Sequence, residues 1–236
     1  MRLRPLGGNI LDAAMFDPGP TLIVVTLAVA VADWIAVAAG NSRAEYVLKP
    51  LTLAVLLAAA AAFRGGEPFA RWLLTVAALA FSLLGDVMLM LPRDLLRGGL
   101  AAFLVAHLAY IAAFNPSLPP VLPTVPVGLV LLAVGAGLFF RMRTGMILRG
   151  HAELVPAVGA YVFVICAMVA SAVGTTGRRE WSGRSSAVAI VGAGLFFISD
   201  ALIGWTRFVG DVRWGRVLIM VAYHLGQIGL VLGLLG

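Results

Sequence analysis

Eight apolar runs, each close to the length of a membrane-crossing helix, follow one another through this 236-residue chain. They lie at about 20–39, 46–63, 68–91, 98–114, 119–140, 153–174, 186–205 and 215–235. A hydrocarbon core of ~30 Å is crossed by roughly 20 residues of helix at 1.5 Å per residue. The expected fold is therefore all-α, a polytopic transmembrane helix bundle of about eight spans. Most connections are short, which predicts antiparallel neighbours. Residues 1–19 read as an N-terminal segment and 20–236 as a single transmembrane bundle domain. The start, "MRLRPLGGNILDAAMF", has early arginines but no continuous apolar core, so the first span is expected to serve as the targeting signal. The run "NPSLPPVLPTVP" (115–126) carries five prolines and reads as a rigid loop into helix five. Pro123 and Pro126 then fall in its first turns, where a missing N–H costs least.

Charge supports this reading. Only 12% of residues are charged, against about 25% in a soluble domain. The net charge of +6 comes from arginines placed mainly in short loops. That placement suits topology and lipid headgroups and argues against nucleic acid as a partner. The N-terminus and even-numbered loops carry Arg2, Arg4, Arg64, Arg71, Arg178, Arg179 and Arg184. The odd loops and adjacent helix ends carry Arg43, Lys49, Arg93, Arg97, Arg141, Arg143, Arg149, Arg207, Arg213 and Arg216. The excess of ten over seven assigns the odd loops to the cytoplasm. Cys166, the single cysteine, sits in an apolar run as a small buried residue. It excludes an internal disulfide and a cysteine-rich zinc site.

The ionisable residues inside the spans are the functional candidates. A central Asp or Lys costs roughly 2.5–3.5 kcal/mol on insertion scales, so each one needs a reason. Asp33, Lys49, Asp86, His107, Asp200 and His224 fall inside the spans or near their ends. Asp86, in "FSLLGDVMLM", and Asp200, in "LFFISDALIG", each lie about five residues before the end of an odd helix, roughly 8 Å deep. Lys49 begins an even helix. By alternation these groups share one half of the bilayer, with the histidines below them. A single polar cavity opening toward the odd loops is expected. In "VAYHLGQIG", Tyr223 and Gln227 share a helix face at i,i+4, with His224 beside them. Ser82 precedes Asp86 by one turn and Ser199 adjoins Asp200. Lys49 snorkels to the interface, pairs with an aspartate or binds phosphate. Asp33 is a headgroup-level residue or part of the cluster. His151, beside Glu153, reads as interfacial, and the Gly229–Gly233 pair as helix packing.

A faint internal echo sets Asp86 on Asp200 and His107 on His224, with separations of 21 and 24 residues. It predicts two related four-helix halves in the same orientation. The G-x-S-x-G and H-E-x-x-H motifs are absent, as is a glycine-rich phosphate loop.

The same residues carry a family resemblance. "LKPLT" (48–52), "SLLGDVMLM" (82–90), "AAFLVAHLAYIAAF" (101–114), "GAGLFFISDALIG" (192–204) and "VLIMVAYHLGQIGLV" (217–231) resemble, in order, the motifs of the YhhN-type membrane family, the lysoplasmalogenases. The resemblance covers about residues 22–236 and implies eight spans. It also implies hydrolysis of the vinyl ether bond of a lysoplasmalogen to a fatty aldehyde and a glycerophospho-ethanolamine or -choline. The matching polar positions are Lys49, Asp86, His107, Ser199, Asp200, Tyr223 and Gln227, with His224 adjoining the last motif.

The residues suit that chemistry. Protonation of the vinyl β-carbon leaves an oxocarbenium ion, water adds, and the hemiacetal collapses. Glycosidases manage a related cation with one protonated and one ionised carboxyl. Two aspartates in a low-dielectric cavity do not both ionise cheaply, which provides such a division of labour. Asp86 and Asp200 are thus the expected catalytic acid/base pair. Lys49, His107, Ser199, Tyr223, His224 and Gln227 are expected to bind substrate or water. No metal or nucleotide cofactor is called for, and the partners are the lysophospholipid and membrane lipid. A lipid transporter or a non-catalytic lysolipid sensor would place charge in the same way, and turnover separates them from an enzyme.

Overall fold

The computed structural model describes residues 18–63, 67–91, 95–116 and 121–236. The expected N-terminal segment lies almost wholly outside them. Eight helices follow in order: α1 Pro18–Ala38, α2 Ser42–Ala62, α3 Phe69–Met90, α4 Leu96–Phe114, α5 Val121–Leu148, α6 Val155–Val173, α7 Gly183–Phe208 and α8 Gly215–Leu235. A 3₁₀ turn, Ala152–Leu154, precedes α6. All eight are long and apolar enough to cross a membrane, and each satisfies its backbone polar groups internally, as hydrocarbon requires.

Local chemistry sets the turns. After α1, Gly40 adopts φ +67°. Its N–H reaches the Val37 carbonyl at 3.1 Å while Asn41 N–H reaches that of Ala36 at 2.9 Å. This is a Schellman ending, and it needs the left-handed conformation that glycine takes at least cost. Gly150 repeats it after α5, with φ +79° and bonds from Gly150 and His151 to Ile147 and Met146. Asn41 then caps α2 by accepting from Ala44 N–H at 3.2 Å, so α2 starts at Ser42 rather than 46. Helix α5 runs to Leu148, past the expected end at 140. Arg141 and Arg143 extend the helix beyond the apolar stretch, where their charges reach the headgroup level.

Sequential helices pack as hairpins except α4 and α5, and α8 is the most buried of the eight. Against it lie α7, α1, α3 and α2. The α7–α8 seam is built on glycine. A Cβ on Gly192 would meet Leu230 N at 2.6 Å, one on Gly229 would meet Gly192 Cα at 2.8 Å, and one on Gly233 would meet Ala189 N at 2.6 Å. The Gly229–Gly233 pair is thus a packing surface, as expected, and it brings Tyr223 and Gln227 into the centre. At the even-loop end arginines fasten the bundle. Arg178 donates to the Phe114 carbonyl at 3.0 Å and to Asn115 Oδ1 at 3.1 Å. The Arg71 guanidinium, ion-paired with Glu67, lies 4.2 Å over the Trp181 ring.

Gly192→Ala should destabilise the bundle by about 1–3 kcal/mol, because the added carbon meets backbone. Gly194→Ala, whose Cβ meets nothing within 4 Å, should be neutral or slightly stabilising. Thermal unfolding of the two variants in detergent is the check.

Candidate active site

The two aspartates each gather a set of partners, and the sets differ in charge. Asp86 of α3 accepts an ion pair from Lys49 of α2, Nζ to Oδ1 3.1 Å. The Tyr223 hydroxyl of α8 donates to its other oxygen, Oδ2, at 2.7 Å. The Asp86 side chain is 2% exposed and that of Lys49 11%. Of the readings offered for Lys49, the structure shows the aspartate pairing. Its ammonium is held inside the bundle rather than at an open headgroup level.

Asp200 of α7 has no lysine or arginine in ion-pair reach among the described residues. The Tyr161 hydroxyl of α6 lies 2.5 Å from its Oδ2, and His107 Nε2 of α4 faces the same oxygen at 3.6 Å. His107 Nδ1 stands 2.6 Å from the Phe103 carbonyl. A carbonyl only accepts, so Nδ1 carries a proton and Nε2 is the ring nitrogen turned toward Asp200.

Aromatic rings separate the sets. Phe196 packs at 4.7 Å from the His107 ring and 5.4 Å from that of Tyr223, with Phe103 edge-on to both Phe196 and Tyr223. The expected polar residues thus fall into two neighbouring sets. Asp200 and Tyr161 line an apolar cleft, partly open to the surface and walled by residues such as Leu100, Leu138, Val162 and Phe197. Asp86, Lys49 and Tyr223 do not line it. The cleft shares Leu96, Leu100, Tyr161 and Phe208 with a groove between α4 and α6. It shares Leu96 and Arg207 with a polar mouth at the odd-loop end.

The other expected residues fall around this core. Gln227 accepts from the Tyr110 hydroxyl at 2.6 Å, leaving its Nε2 buried without a partner. His224 Nδ1 accepts from Trp34 Nε1 at 3.1 Å, so its proton is on Nε2, which is also buried and unpartnered. Ser199 is turned away from the cleft, bonding the Ile219 carbonyl of α8 at 3.1 Å, where it serves helix packing. Asp33 is fully buried rather than at headgroup level, with neither oxygen hydrogen-bonded. Ser82 Oγ is buried and unpartnered as well.

Tyr161, Tyr110 and Trp34 were missed in the sequence. The available signal was scarcity. The chain has four tyrosines, and a buried tyrosine hydroxyl needs a partner. Three of the four, Tyr110, Tyr161 and Tyr223, donate to Gln227, Asp200 and Asp86.

Removing one member of a buried ion pair strands the other, at a cost of about 3–5 kcal/mol. Lys49→Met should therefore destabilise strongly, and adding Asp86→Asn should restore much of the loss. Thermal unfolding of the single and double variants in detergent measures this coupling.

Comparison with known proteins extends the picture. The YhhN family model matches residues 44–234. The pig (Sus scrofa) lysoplasmalogenase TMEM86B is 33% identical over 77% of this chain and 70% of its own. A Mycobacterium bovis lysoplasmalogenase is 33% identical over 77% and 67% respectively. The Escherichia coli membrane protein YhhN is 30% identical over 85% and 93%. No solved structure matches the chain. With most of its length matched by one family model, this multi-pass integral membrane protein belongs to the YhhN family.

Proposed function

We propose that the protein is a membrane hydrolase that cleaves the vinyl ether bond of a lysoplasmalogen, with Asp200 as the proton donor and Asp86 as a fixed carboxylate behind it. The observation that carries this reading is the asymmetry of the two aspartates. Asp86 is ion-paired with an ammonium at 3.1 Å. Asp200 lines the apolar cleft, with a phenol hydroxyl and an imidazole as its partners among the described residues. A carboxyl without a cation, in an apolar wall, is suited to hold a proton and give it to carbon. The relatives named lysoplasmalogenase support the same reaction.

The alkenyl chain lies in the cleft with its vinyl β-carbon at Asp200. Proton transfer from the Asp200 carboxyl to that carbon forms a C–H bond and leaves the α-carbon as an oxocarbenium ion. The new Asp200 carboxylate and the Asp86 charge behind it stabilise that cation in a site of low dielectric. Water adds to the α-carbon and returns a proton to Asp200, with His107 Nε2 placed to relay it. The hemiacetal C–O bond then breaks, the hemiacetal hydroxyl loses its proton as its oxygen becomes the aldehyde carbonyl, the glycerol oxygen gains a proton, and aldehyde departs. The net change is addition of one water. Tyr161 orients Asp200, and Tyr223 orients Asp86. The charge count across the spans supports odd loops in the cytoplasm, and hence substrate taken from the inner leaflet of a bacterial inner membrane.

Purified protein in detergent should release aldehyde from lysoplasmalogen and not from acyl or alkyl-ether lysolipids. Asp200→Asn should lower kcat at least about 100-fold. Tyr161→Phe should lower it less, with the larger effect on kcat than on KM. Lysolipid binding with no aldehyde from the wild-type protein would move the function to transport or sensing.

A further inference from the structure

The polar mouth of the cleft has a composition that the reaction does not use. It is formed by Leu95, Leu96, Arg97, Gly98, His151, Glu153, Leu154 and Arg207, from the α3–α4 connection, the 3₁₀ turn and the end of α7. Arg207 belongs to both the mouth and the apolar cleft. Glu153 Oε1 lies 3.6 Å from Arg97 Nη2 and 3.8 Å from His151 Nδ1. Both distances exceed a hydrogen bond. The Arg97 and Glu153 side chains are 74% and 48% exposed, and such a pair is worth about 1 kcal/mol or less. An incoming ion can exchange with it cheaply. Arg149 is differently placed, donating to the Arg207 backbone carbonyl. It holds the last turn of α7, and with it the base of the Arg207 side chain.

We infer that this mouth is a subsite for a zwitterionic glycerophospho headgroup: Arg97 and Arg207 take the phosphate, and Glu153 takes the ethanolamine or choline cation. Two guanidinium groups offer the forked donors that phosphate accepts in pairs, and Glu153, the carboxylate among the described lining residues, matches an ammonium. The spacing supports the assignment. Arg207 follows Asp200 by seven residues, so it lies on nearly the same face of α7 and ~10 Å along the axis. In a lysoplasmalogen, seven bonds separate the vinyl β-carbon from phosphorus. At the advance per bond of an extended chain, that spans about 8–9 Å. The two lengths agree within the reach of an arginine side chain. The bundle thus measures the substrate from headgroup to reacting carbon. This inference rests on the reading that Asp200 marks the reacting carbon.

Binding to the full-length protein tests the subsite without turnover. The probes are three alkyl-ether lipids of one chain length: 1-alkylglycerol, its 3-phosphate, and its 3-phosphoethanolamine, titrated by calorimetry in detergent. Arg97→Gln and Arg207→Gln should each weaken the two phosphate-bearing probes about tenfold relative to 1-alkylglycerol. Glu153→Gln should weaken the phosphoethanolamine probe relative to the phosphate probe. Equal losses on all three probes would assign these residues a structural role and overturn the inference, as would undiminished binding of the phosphate probes. The reaction reading is judged separately by aldehyde release. A headgroup effect on binding without aldehyde would keep the subsite and discard the hydrolase, while aldehyde without a headgroup effect would do the reverse.

Discussion

A carboxylate in hydrocarbon must have a cation, a proton or a way to water, and this bundle is organised around that requirement. Asp86 takes the first solution. Its partner is the only lysine in the chain, drawn into the bundle to an ion pair of 3.1 Å, and a tyrosine satisfies the second oxygen. Four elements of the fold follow from that arrangement. Helix α2 must present Lys49, α3 must present Asp86, α8 must come close enough for Tyr223, and α7 must lie flat on α8. The last is possible because Gly192, Gly229 and Gly233 remove the side chains that would hold the helices apart. Among the described residues Asp200 has no comparable cation, and it is the one of the two carboxyls that lines the cleft.

The two sets of partners follow one rule. Asp86, on the third helix, is bonded to the second helix of its own half and to the last helix of the other half. Asp200, on the third helix of the second half, contacts the second helix of its own half, through Tyr161, and the last helix of the first half, through His107. This crossed pattern is what two related halves would produce, and it aligns with the sequence echo of Asp86 on Asp200. The chemistry differs at the equivalent places. An ammonium stands on one side where a phenol stands on the other, and the proposed division of roles between the two carboxyls rests on that difference.

Much of this was legible in the sequence. Apolar length alone predicts eight helices, and the cost of charge in hydrocarbon singles out Asp86, Asp200, Lys49 and the histidines. Depth along the helices places Lys49 near Asp86, as the structure has it. The rest depends on rotation about each helix axis, which composition does not encode. Apolar spans have weak amphipathicity because lipid and core are both apolar, so Ser199 reads as a cavity residue when it faces the α7–α8 seam. Tyr161 passes as one more aromatic in an apolar run until its hydroxyl is seen on Asp200. The rings of Phe103 and Phe196, which pack beside His107 and Tyr223, look in the sequence like ordinary core. Helix ends moved for local reasons, the Asn41 cap in α2 and the arginines of α5 that stay helical past the hydrocarbon.

The most direct test of the central claim, that a fixed carboxyl of this chain protonates the vinyl ether carbon, is turnover of lysoplasmalogen in heavy water. The aldehyde is reduced as it forms and its deuterium content and configuration are read. Delivery from Asp200 predicts one deuterium on the carbon adjoining the former carbonyl, on a single prochiral face. Product without deuterium at that carbon, or with deuterium on both faces equally, would contradict it.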